Sequence, residues 1–389
     1  MAKQFEKIEK TGKADVVASI DNSDAPWRVP TEHNWEYKRL GEVCTIKSGY
    51  TPSSDKLSSK GAFPYFKVAE MNLLGNETYL TNTQLFLSGE VRTFPKNSIV
   101  FPKNGAAVAT NKKRILRFES VVDLNTAVMI ANQEVLAEFL YKFMLNIDFA
   151  LLIKRGTIPT LNITELKNLQ IPVPPRDVQE RIVAELDKIN EVIEDCRELV
   201  RYLDDLAQSL FYNFFGDPVT NPKGWVVKKF SEVFKLSSGD GLSAKQIEPG
   251  PFPVYGGNGI VGYHATSNLG GNNIIIGRVG ALCGNVRLVK GDIFVTDNAF
   301  ITTFKEILND KFAEYLLTLL DLRQYAKAAA QPVISNSSLK NIQIPLPPLQ
   351  LQQEFAKRIE LIEFQKKAVE ETIANLKTLL DSRMDYWFN

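Results

Sequence analysis

Four basic side chains crowd into the stretch NKKRILR: Lys112, Lys113, Arg114 and Arg117. Such a cluster suits a polyanion, because each cation set near a phosphate releases condensed counterions and makes binding salt-sensitive. The alternative is a solvated strand-turn with no ligand. Further candidates stand in short turns: Lys47, Ser48 and Tyr50 in KSGYT, and Lys103 with Asn104 in FPKNG. Later in the chain come Lys245, Asn258, Arg278 and Arg287. Arg278 lies in GRVG, where glycines permit close backbone approach and a guanidinium can grip a guanine edge with two hydrogen bonds. Its alternative is a structural pairing with Asp292 or Asp297. Asn258, in the glycine loop YGGNGIVGY, carries the amide that suits adenine. All of this is binding chemistry.

Signals of catalysis are absent. An adenine methyltransferase should show (D/N)PP(Y/F), and the nearest string is NPKG at Asn221–Gly224, without the second proline or the aromatic. There is no GxxxxGK(S/T) phosphate loop. The two histidines, His33 and His264, have no spaced cysteine or carboxylate cluster, which argues against a zinc site or a histidine triad. YGGNGIVGY does not open a helix after a strand, so it reads as loop and not as a dinucleotide site. The expectation is no catalytic residue, no metal and no cofactor bound by this chain.

The elements that must hold the candidates are announced by a repeat. LKNLQIPVPP (Leu166 to Pro175) returns as LKNIQIPLPP (Leu339 to Pro348), identical at eight of ten positions. NWEYKRLGEVCTIKSGYTPS, from Asn34, matches GWVVKKFSEVFKLSSGDGLS, from Gly224, with Trp35, Glu42, Val43 and Gly49 meeting Trp225, Glu232, Val233 and Gly239. The offset is 190 residues at that end and 173 at the Pro-rich end, so the second copy is 17 residues shorter inside. Shared edges around divergent middles describe one scaffold presenting two surfaces. The middles read as short strands, FPYFKVAEM, SIVFPK and RILRF, then FPVYG, NIIIGRVG and DIFVTD. One helix follows in each copy, LAEFLYKFML and FAEYLLTLLD.

After each proline pair the chain loses Pro and Gly. From Ile182 to Phe214 ten apolar positions step by 4 and 3 without a break, a heptad seam. Shifted by 173, the seam runs from Phe355 to Trp387 and is apolar at eight positions, with Lys366 and Arg383 as exceptions. Proline suits a first helical turn, and Asp177 and Glu180 complement its positive end. A 40-residue helix is ~60 Å long and needs a partner. The two helices are expected to form an antiparallel coiled coil between two similar α+β units, with a pseudo-twofold axis. The alternative is that each packs on its own unit. The domain reading is a tail (1–33), a first globular domain (34–175), a first long helix (176–215), a linker (216–223), a second globular domain (224–348) and a second long helix (349–389).

Bulk properties agree. The 389 residues suffice for two or more cores, and 44% hydrophobic with 23% charged is ordinary globular composition. The net charge is +1, but residues 34–175 carry +5 and 224–348 carry +3, against −5 in 176–215 and −1 in 349–389. Such excesses permit phosphate binding. No apolar run approaches a membrane span, MAKQFEKIEK has no signal-peptide core, and Cys44, Cys196 and Cys283 make no CxxC. A reduced cytoplasmic protein is expected.

The paired LKN(L/I)QIP(V/L)PP motifs, Gln179 and Gln352 after them, the W…SG openings and helices ending in FYNFFGDP and DYWFN resemble the specificity subunit of a Type I restriction–modification system. The likeness covers residues 34 to 389 and departs where GTIPTLN, from Gly156, becomes AAQPVIS, from Ala329. It implies a non-catalytic reader of double-stranded DNA, each unit a target recognition domain for half of a split, asymmetric site, with the helices as a ruler. It also implies docking of two methyltransferase subunits, which carry S-adenosylmethionine, and of a restriction/translocase subunit through the complex. The aromatic helix ends, Phe211, Tyr212, Phe214 and Phe215 with Tyr386, Trp387 and Phe388, are the docking candidates; the alternative is that they cap the coil against the opposite unit. A competing reading is a protein–protein scaffold that never touches DNA.

Overall fold

The computed structural model describes residues 34–154, 156, 158–327 and 331–388; the expected tail, 1–33, lies outside them. The chain divides into unit 1, Met1–Glu194 with Ala374–Asn389, and unit 2, Asp195–Ile373. Unit 1 opens with β1 (Glu36–Arg39), α1 (Leu40–Val43), β2 (Cys44–Ser48), β3 (Phe63–Phe66), β4 (Tyr79–Leu80), β5 (Phe86–Leu87) and β6 (Ile99–Pro102). It continues through β7 (Arg114–Leu116), β8 (Val121–Val122), β9 (Thr126–Ala131), α2 (Ala137–Asn146), β10 (Ile153–Lys154), β11 (Thr160–Leu161), α3 (Ile163–Asn168) and β12 (Gln170–Val173). The helix α4 (Arg176–Phe215) leads on to β13 (Val226–Lys229), α5 (Phe230–Val233), β14 (Phe234–Ser238), β15 (Phe252–Gly256), β16 (Gly259–His264) and β17 (Asn273–Gly277). Then come β18 (Val286–Val289), β19 (Phe294–Val295), β20 (Ala299–Phe304), α6 (Asp310–Leu319), α7 (Asn336–Leu339), β21 (Gln343–Leu346) and α8 (Leu349–Phe388).

Three sheets recur between the units. Unit 1 has the orders β2-β9-β6-β7-β4, β5-β3-β8 and β1-β12; unit 2 has β14-β20-β17-β18, β16-β15-β19 and β13-β21. The Pro-rich strand closes each unit antiparallel to its opening strand, Glu36 opposite Val173 and Val226 opposite Leu346. Unit 1 also has β4, parallel to β7, and a two-stranded sheet of β10 and β11. The insertion responsible for β4 is local: the offset falls from 189 residues at Phe63/Phe252 to 175 at Lys103/Arg278. The extra residues also form a 3-10 turn, Val68–Asn72, where FPYFKVAEM reads as continuous strand. YGGNGIVGY is likewise a hairpin of β15 and β16 and not a loop, with Gly259 at φ +113° in the turn.

Several residues identical between the copies are scaffold. Glu42 and Glu232 each accept from the backbone N–H three residues earlier, at 2.8 and 2.7 Å, and so cap α1 and α5. Gln179 is buried, donating to the carbonyls of Glu134 and Pro174 and accepting from Leu136 N–H at 2.8 Å. Gln352 repeats this with Pro347 and Asn309. Each glutamine ties the start of a long helix to the residues around the start of α2 or α6, and satisfies backbone groups that would be costly to bury unpaired. A Cβ on Gly49 would stand 2.2 Å from Asp123 O, and on Gly239 2.1 Å from Val295 O, so close chain crossing dictates glycine at both.

All twenty seam positions of α4 and α8 are buried or half-buried. Within unit 2 the helices run antiparallel: Asp204 pairs with Lys366 at 2.6 Å, while further along α4 Phe211 and Phe214 meet Phe355, eleven residues back along α8. Within unit 1, Arg383 engages Glu185, Nη2 to Oε2 at 3.1 Å, and Trp387 donates to the same carboxylate at 3.2 Å. Both departures from the apolar seam are therefore matched by acids on α4. The helices also enter the unit cores, so the coiled-coil reading and its alternative are combined. Ile182, Leu186 and Phe388 share the unit 1 core with Phe139 and Phe143. Ala207, Phe211, Phe215, Phe355 and Ile359 share the unit 2 core with Phe312 and Leu316.

Candidate nucleic-acid interface

NKKRILR does not form one basic patch. Because β7 is an extended strand paired with β6, Val100 opposite Arg114, Lys112 and Arg117 flank it at opposite ends. Lys112 is half-buried and donates to Asn72. Arg114 gives Nη1 to Lys113 O at 2.8 Å and Nη2 to Met71 O at 3.1 Å, which braces the inserted turn. Arg117 is exposed at the far end, over the Tyr79 ring. Lys113 is the clear correction, being 1% exposed. It donates to Ile147 O and Asn111 Oδ1, both at 2.6 Å, and lies 4.0 Å from the Phe149 ring centroid. A side chain so placed holds the core and cannot meet a phosphate.

Burial pulls the Lys113 ammonium down to about 7, with Asp148 opposing. The unfolded chain then binds the extra proton between about pH 7 and the ordinary lysine value, so stability rises with pH across that window. Relative to Lys113→Met, the wild-type chain is expected to gain melting temperature between pH 7 and 9.5. Parallel pH profiles for the two proteins would contradict this.

Other candidates do converge. At one end of the unit 1 sheet, Lys103 Nζ donates to Ser48 Oγ at 2.6 Å, and Lys47 is exposed beside them on β2. Tyr50 lies under the Arg92 guanidinium at 4.8 Å, and Arg92 donates to Ser48 O at 2.9 Å. Arg92 is a basic residue the sequence reading missed, since nothing in its spacing ties it to KSGYT. Asn104 bridges to Thr160. The segments beside the pair, Tyr50–Ser53 and Asn104–Ala107, line two open concavities of about 520 and 590 Å³. Partial burial lowers the Lys103 ammonium from its ordinary value, and Asp123 opposes.

In unit 2, Arg278 Nη1 donates to Ser238 Oγ at 2.9 Å. It meets Asp297 through the backbone carbonyl, at 3.4 Å, and lies over the Phe300 ring. Ser238 was also missed, although the repeat sets it opposite Ser48. Arg287 donates to Asn258 O at 3.2 Å, Asn258 being exposed at the hairpin turn, and Lys245 is exposed apart from these. The docking candidates divide. Phe211, Phe215 and Phe388 are 1%, 3% and 2% exposed and belong to cores; Phe388 sits 5.3 Å from Phe139. Trp387 stacks on Trp35 at 5.8 Å, Phe214 is half-buried, and Tyr212 and Tyr386 remain exposed. These three phenylalanines fill the cores that the helix ends enter.

Among the described residues no group of three His, Cys, Asp or Glu could hold a metal, and no helix is long and apolar enough to cross a membrane. Twin scaffolds ending in hydroxyl-braced cations, joined by paired helices, define a tandem-repeat binding protein. A family model described as the Type I restriction modification DNA specificity domain matches residues 32–198 and 222–377. The chain belongs to that family, and is a non-catalytic specificity subunit whose role is DNA target recognition. It is 25% identical over 345 residues to the Type I restriction enzyme EcoprrI specificity subunit of Escherichia coli, covering 82% of this chain and 84% of that one. The Type I restriction–modification S subunit from M. genitalium has a similar fold, with a TM-score of 0.58, 18% identity, and coverage of 94% and 98%. A chain from a structural study of type I system assembly and conformational transition superposes with a TM-score of 0.60, 20% identity, and coverage of 94% and 99%.

Proposed function

We propose that the chain reads a bipartite, asymmetric duplex, one half-site per unit, with α4 and α8 as the spacer about a pseudo-twofold axis. The observation carrying this is the repeated scaffold with unlike strand ends, Lys103–Asn104 in one unit and Arg278–Val279 in the other. Each 40-residue helix is ~60 Å long. That exceeds the ~34–36 Å of one duplex turn over which half-sites are commonly set. The complex would include two methyltransferase subunits, which would hold the S-adenosylmethionine, and a restriction/translocase subunit joined through them. For docking, the exposed apolar side chains of the helices are better suited than their buried ends: Leu199, Tyr202 and Leu206 on α4, and Leu361 and Phe364 on α8, between 44% and 73% exposed. Exposed apolar groups of this kind mark protein interaction surfaces. Gel retardation over a salt series, with and without the methyltransferase, tests the reading. Salt-dependent retardation of duplex is expected; a scaffold that never touches DNA gives none.

A further inference from the structure

Lys103 and Arg278 occupy the same place in the two units, at the level of individual hydrogen bonds. Each follows a central strand, β6 or β17. Lys103 N–H donates to Asn125 O and Arg278 N–H to Asn298 O, both at 2.9 Å. Their carbonyls accept from Leu161 N–H and Ile334 N–H, again at 2.9 Å. Two residues on, Gly105 and Gly280 have φ of +78° and +92° and donate to Pro159 O and Pro332 O. This makes the stretch from Pro159 structurally equivalent to that from Pro332, where the sequences diverge. The cation of each then rests on the serine ending the edge strand two places away in the sheet, Ser48 of β2 or Ser238 of β14.

The partners differ from those of the cations that are matched by acids. Lys366, Lys228 and Lys311 each meet a carboxylate, at 2.6, 2.6 and 2.5 Å. Lys103 and Arg278 instead contact serine hydroxyls, with Arg278 also reaching a backbone carbonyl. A hydroxyl orients the head group without cancelling its charge, and an ammonium or guanidinium has more N–H groups than one hydroxyl can accept. Donor capacity and charge are thus left for an acceptor from outside. The cradle is duplicated while its side chains are not, being Lys-Asn in one unit and Arg-Val in the other.

We infer that Lys103 and Arg278 are equivalent specificity contacts, each offering a serine-braced cation to an acceptor on its own half of the DNA. This rests on the DNA-reading proposal above. The test uses the chain assembled with its methyltransferase, and measures affinity for the methylated site, for duplexes varied at each position, and for random duplex at several salt concentrations. Lys103→Met and Arg278→Met are each expected to weaken target binding about tenfold or more. A base contact relaxes preference at a position in one half-site only; a phosphate contact weakens all sequences and makes the salt dependence shallower by about one counterion. The first result supports the inference, and the second overturns it by making the cations backbone anchors. Ser48→Ala and Ser238→Ala, which keep the cations, are expected to weaken binding several-fold, and Lys103→Arg to restore most of it. Variants that melt like wild type and bind every duplex as it does overturn the inference while leaving DNA reading intact. A wild-type complex that retards no duplex overturns both.

Discussion

Phe211→Ala is expected to destabilise unit 2 by about 3–5 kcal/mol, the usual cost of emptying a buried phenylalanine site. Phe211 is 1% exposed and lies 5.0 Å from Phe215, 5.9 Å from Phe312 and 5.6 Å from Phe355, centroid to centroid. It joins α4, α6 and α8 within one core, so the cavity left behind borders three helices that cannot all close on it. For a unit of this size the melting transition should fall by roughly 10 °C. Complex formation at low temperature should survive, because the side chain is not on the surface. Unchanged melting with lost methyltransferase binding would return Phe211 to the docking surface.

The second large effect belongs to the exposed helix face. Tyr202→Glu with Leu206→Glu is expected to weaken methyltransferase retention by about 100-fold or more on a sizing column or by calorimetry, as loss of central apolar anchors does. Tyr202 and Leu206 are 60% and 50% exposed, and glutamate is a good helix former, so melting should hardly change. Retention equal to wild type would remove this face from the docking surface.

Periodicity carried most of the fold. A seam stepping by 4 and 3 through ten positions admits one helical phase, and every one of its positions is sheltered. What it could not supply was register: Lys366 and Arg383 look like flaws until Asp204 and Glu185 face them. Nor could it show that the helix ends leave the coil for a core. Aromatic richness marked those ends, but only tertiary packing separates Phe211 from Tyr212. In the site, charge density misled. Lys113 shares a face with Ile115 and Arg114 shares one with Leu116, and both of these neighbours are buried, at 2% and 0%, so period-2 alternation could not tell which cation turns inward. Lys103 and Arg278 were legible as residues but not as equivalents, because the insertion between β3 and β6 shifts the offset and conceals the shared cradle.

Single-molecule sequencing of adenine methylation, in cells with and without this chain, bears most directly on the claim that two units read two half-sites. The expected result is one methylated motif that depends on the chain, made of two specified parts around an unspecified gap, with Arg278→Met relaxing only one part. A motif specified without interruption, or methylation indifferent to the chain, would contradict it.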